Sequence, residues 1–115
     1  MKITVQSIRF NADKKLLDFI QRKADKLDTY YDQIISGEVY LKLENVENEA
    51  NKITEIKLML PGNQIFAKEQ CKTFEEATDL VVESLRKQIE KYKQKKTIAA
   101  EAAKKTAILI ATDGF

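Results

Sequence analysis

Two runs of alternating apolar and polar residues, meeting at Pro61-Gly62-Asn63, constrain the fold of this chain more than any other feature. Residues 53–60 set Ile56, Leu58 and Leu60 against Glu55, Lys57 and Met59, and residues 64–71 carry Ile65 and Ala67 on one face. A period of two marks a strand with one buried face. Proline presets φ at the second position of a turn, and glycine at the third tolerates the positive φ of a type II turn. The segment is therefore a β-hairpin, and its apolar face needs a covering layer.

The rest of the chain supplies that layer. Residues 38–44 alternate in the same way, with Val39, Leu41 and Leu43 opposite Glu38, Tyr40, Lys42 and Glu44. Residues 2–8 set Ile3 and Val5 against Lys2, Thr4 and Gln6, and residues 45–52 form a polar loop. Over residues 13–31, Leu16, Leu17, Ile20, Ala24, Leu27 and Tyr31 recur at spacings of three and four. This predicts an amphipathic helix, capped by Asn11 or Asp13. Thr73-Phe74-Glu75-Glu76 has the form of a capping box and opens a second helix over residues 74–96. Its stripe is Phe74, Ala77, Val81, Leu85, Ile89 and Tyr92, with Val82 at the edge and Leu80 off it.

The order β-α-β-β-β-α predicts a two-layer α+β sandwich, a four-stranded sheet with two helices on one face. The first two strands pair in parallel across the helical crossover, and the others form an antiparallel meander. Residues 1–96 make one domain. Residues 97–115 are a tail. Its Ala-rich part, 98–107, either extends the helix or stays disordered, and 107–111 is a short apolar patch.

What is missing narrows the chemistry. The chain of 115 residues has no histidine, so the commonest neutral-pH general base and metal ligand is absent. Its single Cys71 forms no internal disulfide or thiolate–imidazole pair and reads as a small buried filler. Three glycines do not make a phosphate loop or a dinucleotide fingerprint. Glu44, Glu47 and Glu49 share a loop but lack the spacing of a metal site. No cofactor, metal, catalytic residue or small-molecule substrate is expected. No apolar run approaches the ~18 residues of a membrane span, and the chain opens on a strand, not a leader, so a cytoplasmic protein is expected.

Charge is where function shows. The net charge of +2 conceals an uneven distribution. Residues 86–96 hold Arg86, Lys87, Lys91, Lys93, Lys95 and Lys96 against the one acid Glu90. Lys87, Lys91 and Lys95 follow at four-residue steps along one stripe, and Arg86 and Lys93 lie to its other side. On the first helix Lys15, Arg22 and Lys26 share a face. Helices packed side by side would join the two sets into one basic surface, suited to an RNA backbone whose neutralised phosphates release counterions. An ordinary reading stands beside it. Lysines at a helix C-terminus offset the macrodipole, Glu83 and Lys87 make a favourable pair, and Asp18, Asp25 and Asp28 intersperse the first set. Tyr30, Tyr31 and Tyr92 have the chemistry to stack on bases, but the spacing of Tyr31 and Tyr92 favours core caps.

The segment Phe74–Lys96, with Ala77-Thr78-Asp79-Leu80, Leu85-Arg86-Lys87-Gln88-Ile89 and the alternating Lys91, Lys93 and Lys95, resembles the last helix of the ribosome hibernation promoting factors and ribosome-associated inhibitors. Residues 19–31, with Lys26-Leu27-Asp28-Thr29-Tyr30-Tyr31, are similar to the end of that family's first helix, and the segment order and hairpin agree. The resemblance covers residues 1–96 and implies a layout like that of double-stranded RNA-binding domains. It implies a non-enzymatic protein that occupies the messenger and transfer RNA groove of the small ribosomal subunit and silences translation. Its contacts to ribosomal RNA would come from Arg22, Lys26, Arg86, Lys87, Lys91, Lys93 and Lys95. The family's Glu-Arg-Gln is Arg86-Lys87-Gln88 here, which leaves open which cation makes the main contact. The length matches the short type. Pairing of ribosomes with another factor, or its prevention, is open. A protein-interaction role as modulator of an alternative sigma factor is the second reading.

Overall fold

The computed structural model describes residues 1–8, 10–44 and 50–109, with side chains described as far as Gln94. The loop residues 45–49 and the end of the tail, 110–115, lie outside the described residues, as do the side chains of the 107–111 patch. The elements are β1 (Lys2–Ile8), α1 (Lys14–Asp25), α2 (Leu27–Tyr30), β2 (Ser36–Leu43), β3 (Lys52–Leu60), β4 (Asn63–Cys71) and α3 (Phe74–Leu109). The sheet order is β1-β2-β3-β4. β1 runs parallel to β2 with Val5 opposite Val39, and β2, β3 and β4 form the antiparallel meander.

The hairpin forms where the alternation and the turn chemistry place it. Leu60 faces Asn63 across Pro61-Gly62, and Gly62 has φ 71°, the region that glycine enters without a Cβ penalty. Val39, Leu41, Ile56, Leu58, Leu60, Ile65 and Ala67 are buried under Ile20, Leu27, Val81, Leu85 and Ile89. Gly37 makes the close approach on β2. A Cβ there would stand 2.8 Å from Ile3 Cδ1 and 3.1 Å from Leu58 Cδ2.

Asp13 is the cap of α1, with the Leu16 N–H donating to its Oδ1 at 2.9 Å. The single helix expected over 13–31 is in fact two segments. The Lys26 carbonyl accepts the Thr29 N–H at 3.1 Å and the Thr29 hydroxyl at 2.6 Å. A threonine hydroxyl competing for a backbone acceptor in this way interrupts the helical ladder. Leu17, expected in the apolar stripe, is 36% exposed, because the buried line runs through Ile20, Ala24 and Leu27.

Half of the expected capping box is present. The Glu76 N–H donates to Thr73 Oγ1 at 3.0 Å, and no return bond from the Glu76 carboxylate is among the described hydrogen bonds. Thr78 is fully buried on the α3 stripe and meets Thr54 of β3, hydroxyl to hydroxyl, at 3.3 Å. One hydroxyl donates to the other, and Thr54 Oγ1 also lies 3.5 Å from the Phe74 carbonyl, so neither buried group is left unsatisfied. Cys71 is buried, and burial raises its thiol pKa, as expected of an inert filler. α3 continues past Lys96 to Leu109.

Among the described residues no helix lies on the second face of the sheet. Phe66 and Met59 are exposed there, while Ile53 on that face is buried. Beside Ile53, Gln70 donates to the Ala50 carbonyl at 2.7 Å, which draws the end of the β2–β3 loop toward the sheet.

Candidate nucleic-acid interface

The candidate site is built on residues 79–94 of α3 and the end of α1. Leu85 and Ile89 are fully buried, so the register of α3 is fixed and its flanks are set by 100° per residue. One flank, carrying Asp79, Arg86 and Lys93, meets α1 and α2. The other, carrying Ser84, Gln88 and Lys91, meets β4. Gln88 Nε2 donates to the Phe66 carbonyl at 2.9 Å and so ties α3 to that edge strand. An edge carbonyl held this way is withheld from another strand.

Lys87 and Lys91 are exposed, and no ion pair holds their ammonium groups among the described residues. Lys91 borders an open notch of about 200 Å³ with Asn63, Ile65, Gln88 and Tyr92. Arg22 is exposed, its guanidinium 5.6 Å from the Phe19 ring centre, and Lys26 is exposed at the α1 C-cap. The side chain of Lys95 lies outside the described residues.

Two of the expected cations are occupied within the chain. Arg86 grips Glu83 with two parallel bonds, Nε to Oε2 at 3.1 Å and Nη2 to Oε1 at 2.6 Å, and reaches Glu90 with Nη1 at 2.6 Å. Arg86, not Lys87, is therefore the close partner of Glu83, while Lys87 acts on the Glu83 carboxyl only as a nearby charge. The planar fork of arginine matches a carboxylate in a way that an ammonium group does not. The Arg86 hydrogen bond holds the Glu83 carboxyl below its ordinary pKa, and the same bond raises that of Arg86. The Arg86 guanidinium also lies 5.9 Å from the ring centre of Tyr30, and Lys93 Nζ donates to the Tyr30 carbonyl at 2.8 Å.

The two basic sets are therefore not one unbroken strip. Lys23 of α1 meets Asp79 of α3 at 3.0 Å. Asp79, Glu83 and Glu90, at steps of four and seven, line the flank of α3 next to α1 and α2. Tyr31 and Tyr92 are half-buried and meet edge to face at 5.4 Å, the core caps their spacing suggests, and the Tyr92 hydroxyl donates to the Pro61 carbonyl at 2.7 Å. Sequence reasoning missed Tyr30 as an internal anchor. The signal for the Arg86 pairings was present, since Glu83 and Glu90 stand three before and four after it.

A broader concavity, about 720 Å³, opens beside α1, where Lys15 and Arg22 face Asp13, Asp18 and Glu75. It is of mixed sign and lacks a nucleophile–base pair. Among the described residues no group of three or more acids or cysteines is placed to hold a metal ion. No helix among them is long and apolar enough to cross a membrane.

Residues 3–97 match the family described as Sigma 54 modulation protein / S30EA ribosomal protein. A ribosome hibernation promoting factor of Pseudomonas putida is 21% identical over 103 residues, covering 90% of this chain and 97% of that protein. A ribosome hibernation promotion factor of Deinococcus radiodurans is 32% identical over 77 residues, 66% of this chain but 40% of that longer protein. Among solved structures, a ribosomal subunit interface protein from Coxiella burnetii superposes with TM-score 0.72 at 22% identity, covering 82% of this chain and 99% of that one. The Protein Y N-terminal domain of Thermus thermophilus does so with TM-score 0.70 at 24% identity, covering 80% and 99%.

Proposed function

The chain belongs to the Sigma 54 modulation protein / S30EA ribosomal protein family, and we propose that it is a ribosome hibernation factor that binds at a ribosomal subunit interface. The family is not one of enzymes, and the proposed action is occupancy, with no bond made or broken. The finer reading is that the domain fills the messenger and transfer RNA groove of the small subunit and excludes both RNAs. The observation that supports it is the pair Lys87 and Lys91, exposed on a rigid helix and without ion-pair partners among the described residues.

Arg22 and Lys26 on α1 and Lys87, Lys91 and Lys95 on α3 are the proposed ribosomal RNA contacts. Cations held out from a packed scaffold meet phosphate without first paying to order the backbone beneath them. Lysines act as mobile point charges there, and Arg22 offers a planar fork.

Co-sedimentation with isolated small and large subunits across a salt series, with messenger RNA and initiator transfer RNA as competitors, tests this. The expected result is binding to the small subunit that weakens steeply with salt and is lost to the competitors. Absence of binding at low salt would overturn the reading. The family's description also names sigma 54 modulation. In that second reading the partner is a transcription factor. Binding through an apolar interface would then respond little to salt.

A further inference from the structure

We infer that Arg86 and Lys93 are positioning residues, a clamp that fixes the end of the first helical region against α3, and that they do not themselves meet phosphate. The inference rests on the ribosome-binding reading above and divides its cations into two kinds.

The geometry carries the division. Arg86 and Lys93 are seven residues apart, two turns of one helix, and so project on the same flank of α3. Both reach one residue, Tyr30, the last of α2. Arg86 lies against its ring and Lys93 donates to its carbonyl. That carbonyl belongs to a helix C-terminus, where the last acceptors have no partner inside the helix and the dipole favours a cation. Tyr31, the next residue, packs on Tyr92, which is anchored in turn to the hairpin carbonyl of Pro61. Residues 86, 92 and 93 thus hold residues 30 and 31, at the end of the short helix α2 that follows Lys26.

The electrostatics point the same way. Arg86 lies between two carboxylates, each 2.6 Å from one of its nitrogens. A phosphate approaching it would meet Glu83 and Glu90 as well. Engaging phosphate would require Arg86 to release a bidentate carboxylate, and would require Lys93 to leave a carbonyl bond. Neither cost falls on Lys87 or Lys91. Of the two adjacent cations Arg86 and Lys87, Lys87 is therefore the phosphate contact. The clamp sets where Lys26 stands relative to Lys87 and Lys91, and a preset spacing lowers the ordering cost of binding one RNA surface with both helices.

The test compares three variants, Arg86→Met, Lys93→Met and Lys91→Met. Two quantities are measured for each: small-subunit affinity across a salt series, and amide hydrogen exchange at residues 27–31. A lost phosphate contact lowers the slope of log affinity against log salt by about 0.7–0.9. A positioning residue does not move that slope. The expected result is a reduced slope and unchanged exchange for Lys91→Met. For Arg86→Met and Lys93→Met it is faster exchange at 27–31, an unchanged slope, and affinity lower by about two- to tenfold, the ordering cost of a long side chain. A slope reduced by Arg86→Met or Lys93→Met as by Lys91→Met would overturn the assignment. Faster exchange with full affinity would show a clamp irrelevant to binding and would overturn it too. If the wild-type protein fails to bind subunits, the ribosome-binding reading fails, and with it the binding role of the clamp. Exchange at 27–31 still decides whether Arg86 and Lys93 hold Tyr30.

Discussion

On the flank of α3 that meets α1 and α2, Asp79, Arg86 and Lys93 are committed inside the molecule. Lys23 meets Asp79, Arg86 meets Glu83 and Glu90, and Lys93 meets a backbone carbonyl. On the outer surface and the flank toward β4, Lys87 and Lys91 are exposed and hold no acid among the described residues. The two surfaces share one helix and one residue chemistry. They differ in the carboxylates the helix itself places beside Arg86 and in what the tertiary fold places opposite. A count of lysines and arginines does not measure available charge, because a neighbouring carboxylate or helix end removes part of it.

Removing the spine on which both flanks depend should have the largest effect. Leu85 is fully buried beneath α3, and Leu85→Ala should cost about 2–5 kcal/mol. Denaturant unfolding would show it. Loss of subunit binding should accompany loss of folded protein, for the two flanks together. A cost under about 1 kcal/mol would mean that α3 is not held by this residue.

Reversing charge on the outer surface separates the flanks. Lys87→Glu with Lys91→Glu should lower affinity for the small subunit by at least about tenfold at low salt, through lost phosphate neutralisation. Stability should change by no more than about 0.5 kcal/mol, as for exposed substitutions away from structural features. Retained affinity would remove this surface from the proposed interface.

A smaller effect belongs to the inner flank. Asp79→Asn breaks the pair with Lys23, which is partly open to solvent, and should cost about 0.2–1 kcal/mol by chemical denaturation. The cost should shrink in high salt, where exposed pairs are screened. Salt-independent destabilisation would point to a packing role instead.

The smallest effect is a pH dependence. Hydrogen bonding to Arg86 holds the Glu83 carboxyl below its unfolded-state pKa. Its contribution to stability is complete above the unfolded carboxylate pKa and is lost as pH falls through the lower folded value. Glu83→Gln should therefore make stability less dependent on pH in the acid range and leave the Lys91 salt slope in place. An unchanged acid limb in the variant would show that the pairing adds nothing to folding.

Local chemistry was enough for much of this protein. Alternation at residues 2–8, 38–44 and 53–60 defined strands, Pro61-Gly62 defined the hairpin turn, and Thr73 defined the start of α3. These signals act over a few residues, and burial follows from their period. The basic run at residues 86–96 of α3 was equally plain. The break near Lys26 was not, because it depends on the Thr29 hydroxyl winning a carbonyl from the helix ladder. Nor was the burial of Thr54 and Thr78, which required a partner hydroxyl 24 residues away. The assignment of cations lay furthest from view. Arg86 and Lys87 are neighbours in the chain and similar in charge, but 100° of helix separates their directions. Glu83 and Glu90 of the same helix bind one of the two at local spacing, but only the packing of α2 against α3 brings up the Tyr30 ring and carbonyl that hold Arg86 and Lys93 and leave Lys87 exposed, because charge acts across space on whatever the fold brings near.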